Sequence, residues 1–99
     1  MAGPIYKLWM FKYTDAWYQL SEEERNSYFA KLQEAWEKVG GKMIIACVSA
    51  WSAEQWLMFG IDEFPDIEAV QKHTELLNEQ DHFRYIESVS MLGTKWEPS

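Results

Sequence analysis

The sequence predicts an α+β fold: a four-stranded antiparallel sheet and two helices in the order strand, helix, strand, strand, helix, strand. Three observations predict it. Aromatic and β-branched runs bracket two stretches of helical periodicity. A capping box and a glycine pair mark the start and stop of the first helix. The strands are apolar on both faces, whereas two helices cover only one face of such a sheet. The remaining face needs a cover, and a second copy of the same chain is the expected one.

Ile5 to Tyr13 (IYKLWMFKY) reads as the first strand. Tyr6, Leu8, Met10 and Lys12 share one face, and Ile5, Lys7, Trp9, Phe11 and Tyr13 the other. Thr14 to Leu20 is a connection whose Trp17 and Tyr18 are placed to lid a pocket or to pack on a partner chain. Ser21 followed by three glutamates is a capping box, and the acids suit the helix dipole. Tyr28, Phe29, Leu32, Ala35, Trp36 and Val39 repeat at helical spacing, so the helix runs from Glu22 to Val39. Gly40-Gly41 supplies its left-handed stop.

Lys42 to Ala50 reads as a buried second strand, Trp51 to Glu54 as a link of hairpin length, and Gln55 to Ile61 as the third strand. Gly60 marks a bulge or a close backbone approach. Pro65-Asp66 opens the second helix, whose stripe is Ile67, Val70, His73, Thr74 and Leu77. Asn78 to Asp81 ends it. Phe83 to Leu92 reads as the fourth strand, with Tyr85, Glu87, Val89 and Met91 on one face and Arg84, Ile86, Ser88 and Ser90 on the other. Gly93 to Ser99 is a tail carrying Trp96, read as a swapped arm or a short extra strand.

Residues 1–99 read as one domain. A chain this short buries a modest fraction of its surface, so 47% hydrophobic residues with six Trp points to an oligomer interface or a ligand cavity. A net charge of −7 with nine scattered basic residues disfavours nucleic acid and anionic membrane surfaces. Cys47, the single cysteine, excludes an intrachain disulfide and a cysteine zinc site, and its apolar flanks suggest an inert buried thiol. The start MAGPIYKL lacks signal-peptide character and no apolar run reaches membrane-spanning length, so a cytoplasmic location is expected. There is no GxGxxG, P-loop, HExxH or GxSxG, and no cofactor is expected.

With its elements in this order, the chain resembles the dimeric α+β barrel superfamily, a ferredoxin-like group. The resemblance is carried by IYKLWMFKY, by ACVSAWSAEQWLMFGIDEF and by FPDIEAVQKHTELLNEQDHFRYIESVSMLG. The group includes antibiotic-biosynthesis monooxygenases, stress-responsive barrel proteins, YCII-like proteins and haem-degrading monooxygenases. The resemblance implies two sheets packed face to face in a homodimer. It also implies a pocket between sheet and helices or inside the barrel. Activities within the group range over cofactor-free oxygenation, cyclisation, decarboxylation and haem chemistry, so fold alone selects none of them.

The candidate site residues each carry a plainer alternative. His73 lies beside the apolar stripe of the second helix, where a histidine is often a satisfied flank residue. Resemblance to the haem-degrading branch would make it an iron ligand, partnered by Trp56 on the third strand and by a first-strand Asn that this chain lacks. His82 adjoins Asp81, a pairing that tunes a general base, although neighbours on an extended chain point apart and a solvated turn is the alternative. Asp62 and Glu63 follow the third strand as read, and the YCII-like group implies a pairing of Asp62 with His73. Arg84 in a buried strand needs a partner, either an acid such as Asp62 or an anionic substrate. Tyr6, Trp9, Trp56 and Tyr85 are core or interface residues unless a flat aromatic ligand stacks among them.

The leading expectation is a small-molecule pocket protein, acting without a cofactor on an aromatic or polyketide-like compound. His73, Arg84 and Asp62 are the expected catalytic groups. Tyr6, Trp9, Trp56, Tyr85 and His82 are the expected ligand-binding groups, and no metal is expected. The alternatives are a non-catalytic stress or scaffold homodimer and a haem-binding barrel.

Overall fold

The computed structural model describes residues 3–52 and 55–98. Part of the expected Trp51 to Glu54 link, and the ends of the expected 1–99 domain, lie outside the described residues. The elements are β1 (Ile5–Tyr13), α1 (Asp15–Tyr18), α2 (Glu22–Lys38), β2 (Lys42–Val48), β3 (Met58–Phe64), α3 (Ile67–Glu79), α4 (His82–Tyr85) and β4 (Ile86–Gly93). The strands form one antiparallel sheet in the order β2-β3-β1-β4. The expected βαββαβ order is present, with two added helical turns.

The first helix begins as its sequence dictates. The Ser21 hydroxyl accepts from the Glu24 amide at 3.1 Å, and the Glu24 carboxylate accepts from the Ser21 amide at 3.0 Å. Gly40, at φ +69°, takes the left-handed position that stops the helix. Asp66 caps α3 by accepting from the Ala69 amide at 2.8 Å, so Pro65 precedes the cap instead of lying inside the helix.

Two strands are displaced from their expected positions. β3 starts at Met58 and runs through Asp62 and Glu63 to Phe64. Its register sets Asp62 opposite Lys7 and Phe64 opposite Ile5, and only Pro65 ends it. Trp56 therefore sits in the connection before β3, and β2 ends at Val48 instead of Ala50. β4 begins at Ile86. Asp81, at φ 60°, turns the chain through the left-handed region, and His82–Tyr85 form a helical turn. The Phe83-Arg84-Tyr85 triplet, which alternates like a strand, belongs to that turn.

Helices α2 and α3 pack on one sheet face. One core cluster unites Ala35, Val39, Phe64, Val70 and Leu76. A second unites Trp17, Tyr28 and Ile86. Trp17 stacks on Tyr13 with centroids 4.3 Å apart, so it is core and neither lid nor partner contact. The register places Lys7, Trp9, Phe11, Tyr13, Met58, Asp62, Ile86, Ser88 and Ser90 on this helix side. The opposite face carries Leu8, Met10, Phe59, Ile61, Val89, Met91, Ile45 and Cys47. It remains open: Ile45, Val89 and Met91 are 52%, 53% and 66% exposed. Cys47 is half-buried on this open face instead of buried. Trp96, in a tail without regular structure among the described residues, forms no extra strand there.

Gly60 permits a close approach at the sheet centre. A Cβ there would lie 2.5 Å from the Ile45 carbonyl oxygen and 2.5 Å from the Trp9 ring. The Trp9 indole lies across β3 because that space is empty.

Candidate functional site

Between the sheet and helices α2 and α3 lies a cavity of about 440 Å³, reached also by α4. Its walls are chiefly aromatic and apolar, with Trp9 and Phe11 from β1 and Tyr28, Phe29 and Trp36 from α2. Four titratable side chains converge on it: Lys7, Asp62, His73 and His82. This is the composition of a ligand site, an apolar chamber with a few placed polar groups.

Local structure explains each position. Lys7 and Asp62 are directly opposed on β1 and β3, so both project to the helix side. His73 lies on the buried stripe of α3, its ring 5.3 Å from both Trp36 and Phe64. His82 opens α4, directly after the left-handed Asp81. Its ring lies parallel to that of Tyr28 with centroids 5.9 Å apart, and its Nδ1 shares a hydrogen bond with the Tyr28 hydroxyl.

The electrostatics are those of a desolvated cluster. Asp62 Oδ1 and His73 Nδ1 are buried without a hydrogen-bond partner among the described residues. Lys7 forms no ion pair within 4.0 Å there, although it faces Asp62 in register. Burial raises the Asp62 carboxyl to about 6, against weaker opposing pulls from the Trp9 indole N–H and the Lys7 charge. Burial lowers His73 to about 4, helped by the positive charges available at Lys7 and His82. His82 falls to about 4 through burial and the Lys7 charge. The Lys7 ammonium is lowered by burial, with Asp62 opposing. Burial pushes the Tyr28 phenol upward. Near neutral pH the cavity thus holds two neutral imidazoles, a carboxyl group close to its titration point and a desolvated amine. Of these groups, the Asp62 carboxyl is the one suited to take up and release protons close to neutrality.

The expected site residues divide into two groups. His73, Asp62, Trp9 and His82 come together at the cavity. Tyr6 lies on the opposite face and donates to Glu63 Oε1 at 2.8 Å. Arg84 is exposed on α4, with its guanidinium 3.7 Å from Asp81 and 6.0 Å over the Tyr85 ring. It has no buried-strand charge to neutralise, and the expected partner Asp62 is not its partner. Tyr85 packs against Tyr28 at 5.6 Å, behind the cavity wall. Trp56 is outside the lining, its carbonyl accepting from the Ser49 hydroxyl at 3.0 Å. His82 is not in a solvated turn, because its ring is held by Tyr28.

Lys7, Tyr28 and Trp36 are lining residues the sequence reading passed over. Lys7 had a signal, being the one charge among Ile5, Trp9, Phe11 and Tyr13 on the same strand face. Tyr28 and Trp36 read as ordinary members of a helical stripe.

The haem-degrading pattern does not fit. β1 carries no Asn, Trp56 lies outside the cavity, and the His73 ring is wedged between Trp36 and Phe64. Among the described residues, no three His, Cys, Asp or Glu side chains gather as a metal site.

The model of a family of unknown function, DUF6616, matches residues 6–99. No curated protein matches the chain. A mutant chlorite dismutase from Candidatus Nitrospira defluvii superposes with a TM-score of 0.77 at 15% identity, over 100% of this chain and 43% of that one. This chain therefore spans less than half of the dismutase. A protein of unknown function from Rhodopseudomonas palustris gives a TM-score of 0.69 at 18% identity, over 99% and 86% of the two chains. SnoaB, a cofactor-independent oxygenase from Streptomyces nogalater, gives 0.58 at 15% identity, over 98% and 97%. At these identities the likeness establishes the fold. It is the ferredoxin-like α+β fold that the sequence predicts.

Proposed function

The chain belongs to DUF6616, a family of unknown function, and we propose that it is a small-molecule pocket protein that performs acid–base chemistry on a flat, largely apolar compound of aromatic or polyketide type. The observation that carries this reading is the cavity itself. It is lined by aromatic rings, yet holds Asp62 and His73 with polar atoms that find no partner among the described residues. Unpaired buried polar groups cost stability, and a bound substrate is the partner that would repay them.

In this reading Trp9 and Trp36 form stacking walls. Asp62 serves as general base or acid, since a carboxyl titrating near 6 exchanges protons efficiently close to neutrality. His73 Nδ1, and Tyr28 through its bond to His82, orient polar atoms of the substrate. Arg84, Tyr6, Tyr85 and Trp56 have no part in it. The cofactor-free chemistry of SnoaB lends the reading an analogy of fold only.

The test is a fluorescence titration, because Trp9 and Trp36 both face the cavity. Naphthols and hydroxyanthraquinones should quench with saturation at one ligand per chain. Ser90→Trp, which fills the cavity from β4, should abolish that quenching while leaving the far-ultraviolet circular dichroism intact. Absence of saturable quenching across the panel would overturn the pocket reading and leave the scaffold reading in its place.

The open sheet face supports a second element of the proposal, a homodimer formed by packing two such faces together. Its apolar centre, Leu8, Met10, Phe59 and Ile61, is flanked at both ends by polar pairs, Tyr6 with Glu63 and Lys12 with Glu87. An apolar core with a polar rim is the anatomy of an interface.

A further inference from the structure

We propose that Lys7 is a nucleophilic amine that condenses with an aldehyde or ketone group of the molecule bound in the cavity, with Asp62 handling the protons. This rests on the pocket reading and adds to it a substrate class, carbonyl compounds of aromatic character.

Position makes the first argument. The chain has seven lysines, and Lys7 alone among the cavity's lining residues is a lysine. It stands on a central strand two residues from Trp9, on the same face, so a ring stacked on Trp9 would present its substituents to the amine. Pairing makes the second. A structural lysine in such a place would be expected to grip its cross-strand acid, yet no ion pair within 4.0 Å joins Lys7 to Asp62 among the described residues. Asp62 Oδ1 is likewise without a partner. An amine without an ion pair and a carboxyl oxygen without a hydrogen bond, in one apolar chamber, suit a role between them for a third species.

The chemistry needs what the cluster holds. Only the free amine attacks a carbonyl, and burial favours that form, with the Asp62 charge opposing. The Nζ lone pair bonds to the carbonyl carbon while the C=O π pair moves to oxygen, which takes the proton of the neutral Asp62 carboxyl. The nitrogen then loses a proton to the Asp62 carboxylate, giving a carbinolamine. Asp62, now neutral, donates that proton to the hydroxyl. Water leaves as the nitrogen lone pair forms the C=N bond. The iminium cation is held beside the regenerated Asp62 carboxylate. Addition of water by the reverse path releases the carbonyl. A carboxyl that titrates close to 6 can act in both directions.

Reductive trapping tests this. The protein is incubated at pH 7 with 2-naphthaldehyde and sodium cyanoborohydride, whose hydride converts the imine to a stable secondary amine, and modified lysines are located by peptide mass spectrometry. Burial lowers the Lys7 ammonium and so enlarges its share of free base, so Lys7 should label faster than each of the other six lysines. Ser90→Trp should protect Lys7 alone. Lys7→Arg should remove the fast adduct, whereas 2-naphthalenemethanol, which fills the cavity but forms no imine, should quench the unmodified protein. Labelling at Lys7 no faster than elsewhere, with quenching by the alcohol intact, would overturn the inference and leave Lys7 as a charge anchor. Failure of the alcohol to quench the unmodified protein would instead overturn the pocket reading, and the inference with it.

Discussion

Asp62 is 3% exposed, and the fold that buries it prefers it neutral. The sign of its effect on stability follows. A carboxyl raised from 3.8 to about 6 on folding costs nothing at low pH, where both states are protonated. The cost grows between these values and is complete above the upper one, at about 3 kcal/mol. Asp62→Asn should therefore raise the melting temperature at pH 7.5 and change it little at pH 4, as calorimetry would show. A drop at pH 7.5 would mean that the carboxylate is held by a favourable interaction. His73 acts in the opposite direction. Held near 4 by burial, it costs nothing above its ordinary value of 6.5, where both states are neutral, and destabilises the fold increasingly as pH falls toward 4. At this scale the sequence was partly legible. His73 and Asp62 stood out as rare polar groups beside apolar runs. Lys7 carried the same signal and was passed over, whereas Arg84 carried it falsely because its strand begins three residues later than expected.

At the scale of elements, local chemistry and tertiary pairing had different legibility. The start of α2 is written in Ser21 and Glu24, and the stop in Gly40, because caps are satisfied within a few residues. The bounds of β3 and β4 are not local. Gln55-Trp56-Leu57 looks like strand, yet Leu57 is the point where the chain enters the sheet, its amide donating to the Phe11 carbonyl at 2.9 Å. Pairing with β1 decides which residues continue, and it carries the polar Asp62 and Glu63 into the ladder. Asp81 at φ 60° is a turn that no neighbouring glycine announces. Gly60 was legible as a close approach, and its consequence can be measured. Gly60→Ala must displace either the Ile45 carbonyl or the Trp9 ring, a strain of about 1–3 kcal/mol. The backbone of β2 is tied into its ladder while the ring borders empty space, so Trp9 should yield first. Urea denaturation should show the loss, and ligand quenching should weaken in the same variant. Unchanged quenching would place the movement in β2.

For the molecule as a whole, the strands were apolar on both faces because two different layers use them. Helices cover one side, and on the other Met91 and Ile45 stand more than half exposed. Which residues lay on which side was not legible, since it depends on the hand in which the helices cross the sheet, a global property. Alternation sets Tyr6 and Trp9 on opposite faces, but only the fold shows that Trp9 takes the cavity side and Tyr6 the open one. The homodimer proposed for the open face has a direct consequence for a paired substitution. Ile45→Glu with Met91→Glu places two carboxylates at positions already exposed in a single chain, so folding of that chain should cost little. In a face-to-face dimer the same groups would be buried against apolar neighbours, at a cost of several kcal/mol per interface. Light scattering after size exclusion should give twice the 11.7 kDa chain mass for the wild type and the single-chain mass for the double variant. The cavity lies on the far side of the sheet, so quenching by naphthols should survive in the monomer. A wild type that elutes as a single chain would sink the dimer, and the apolar face would then need a different partner.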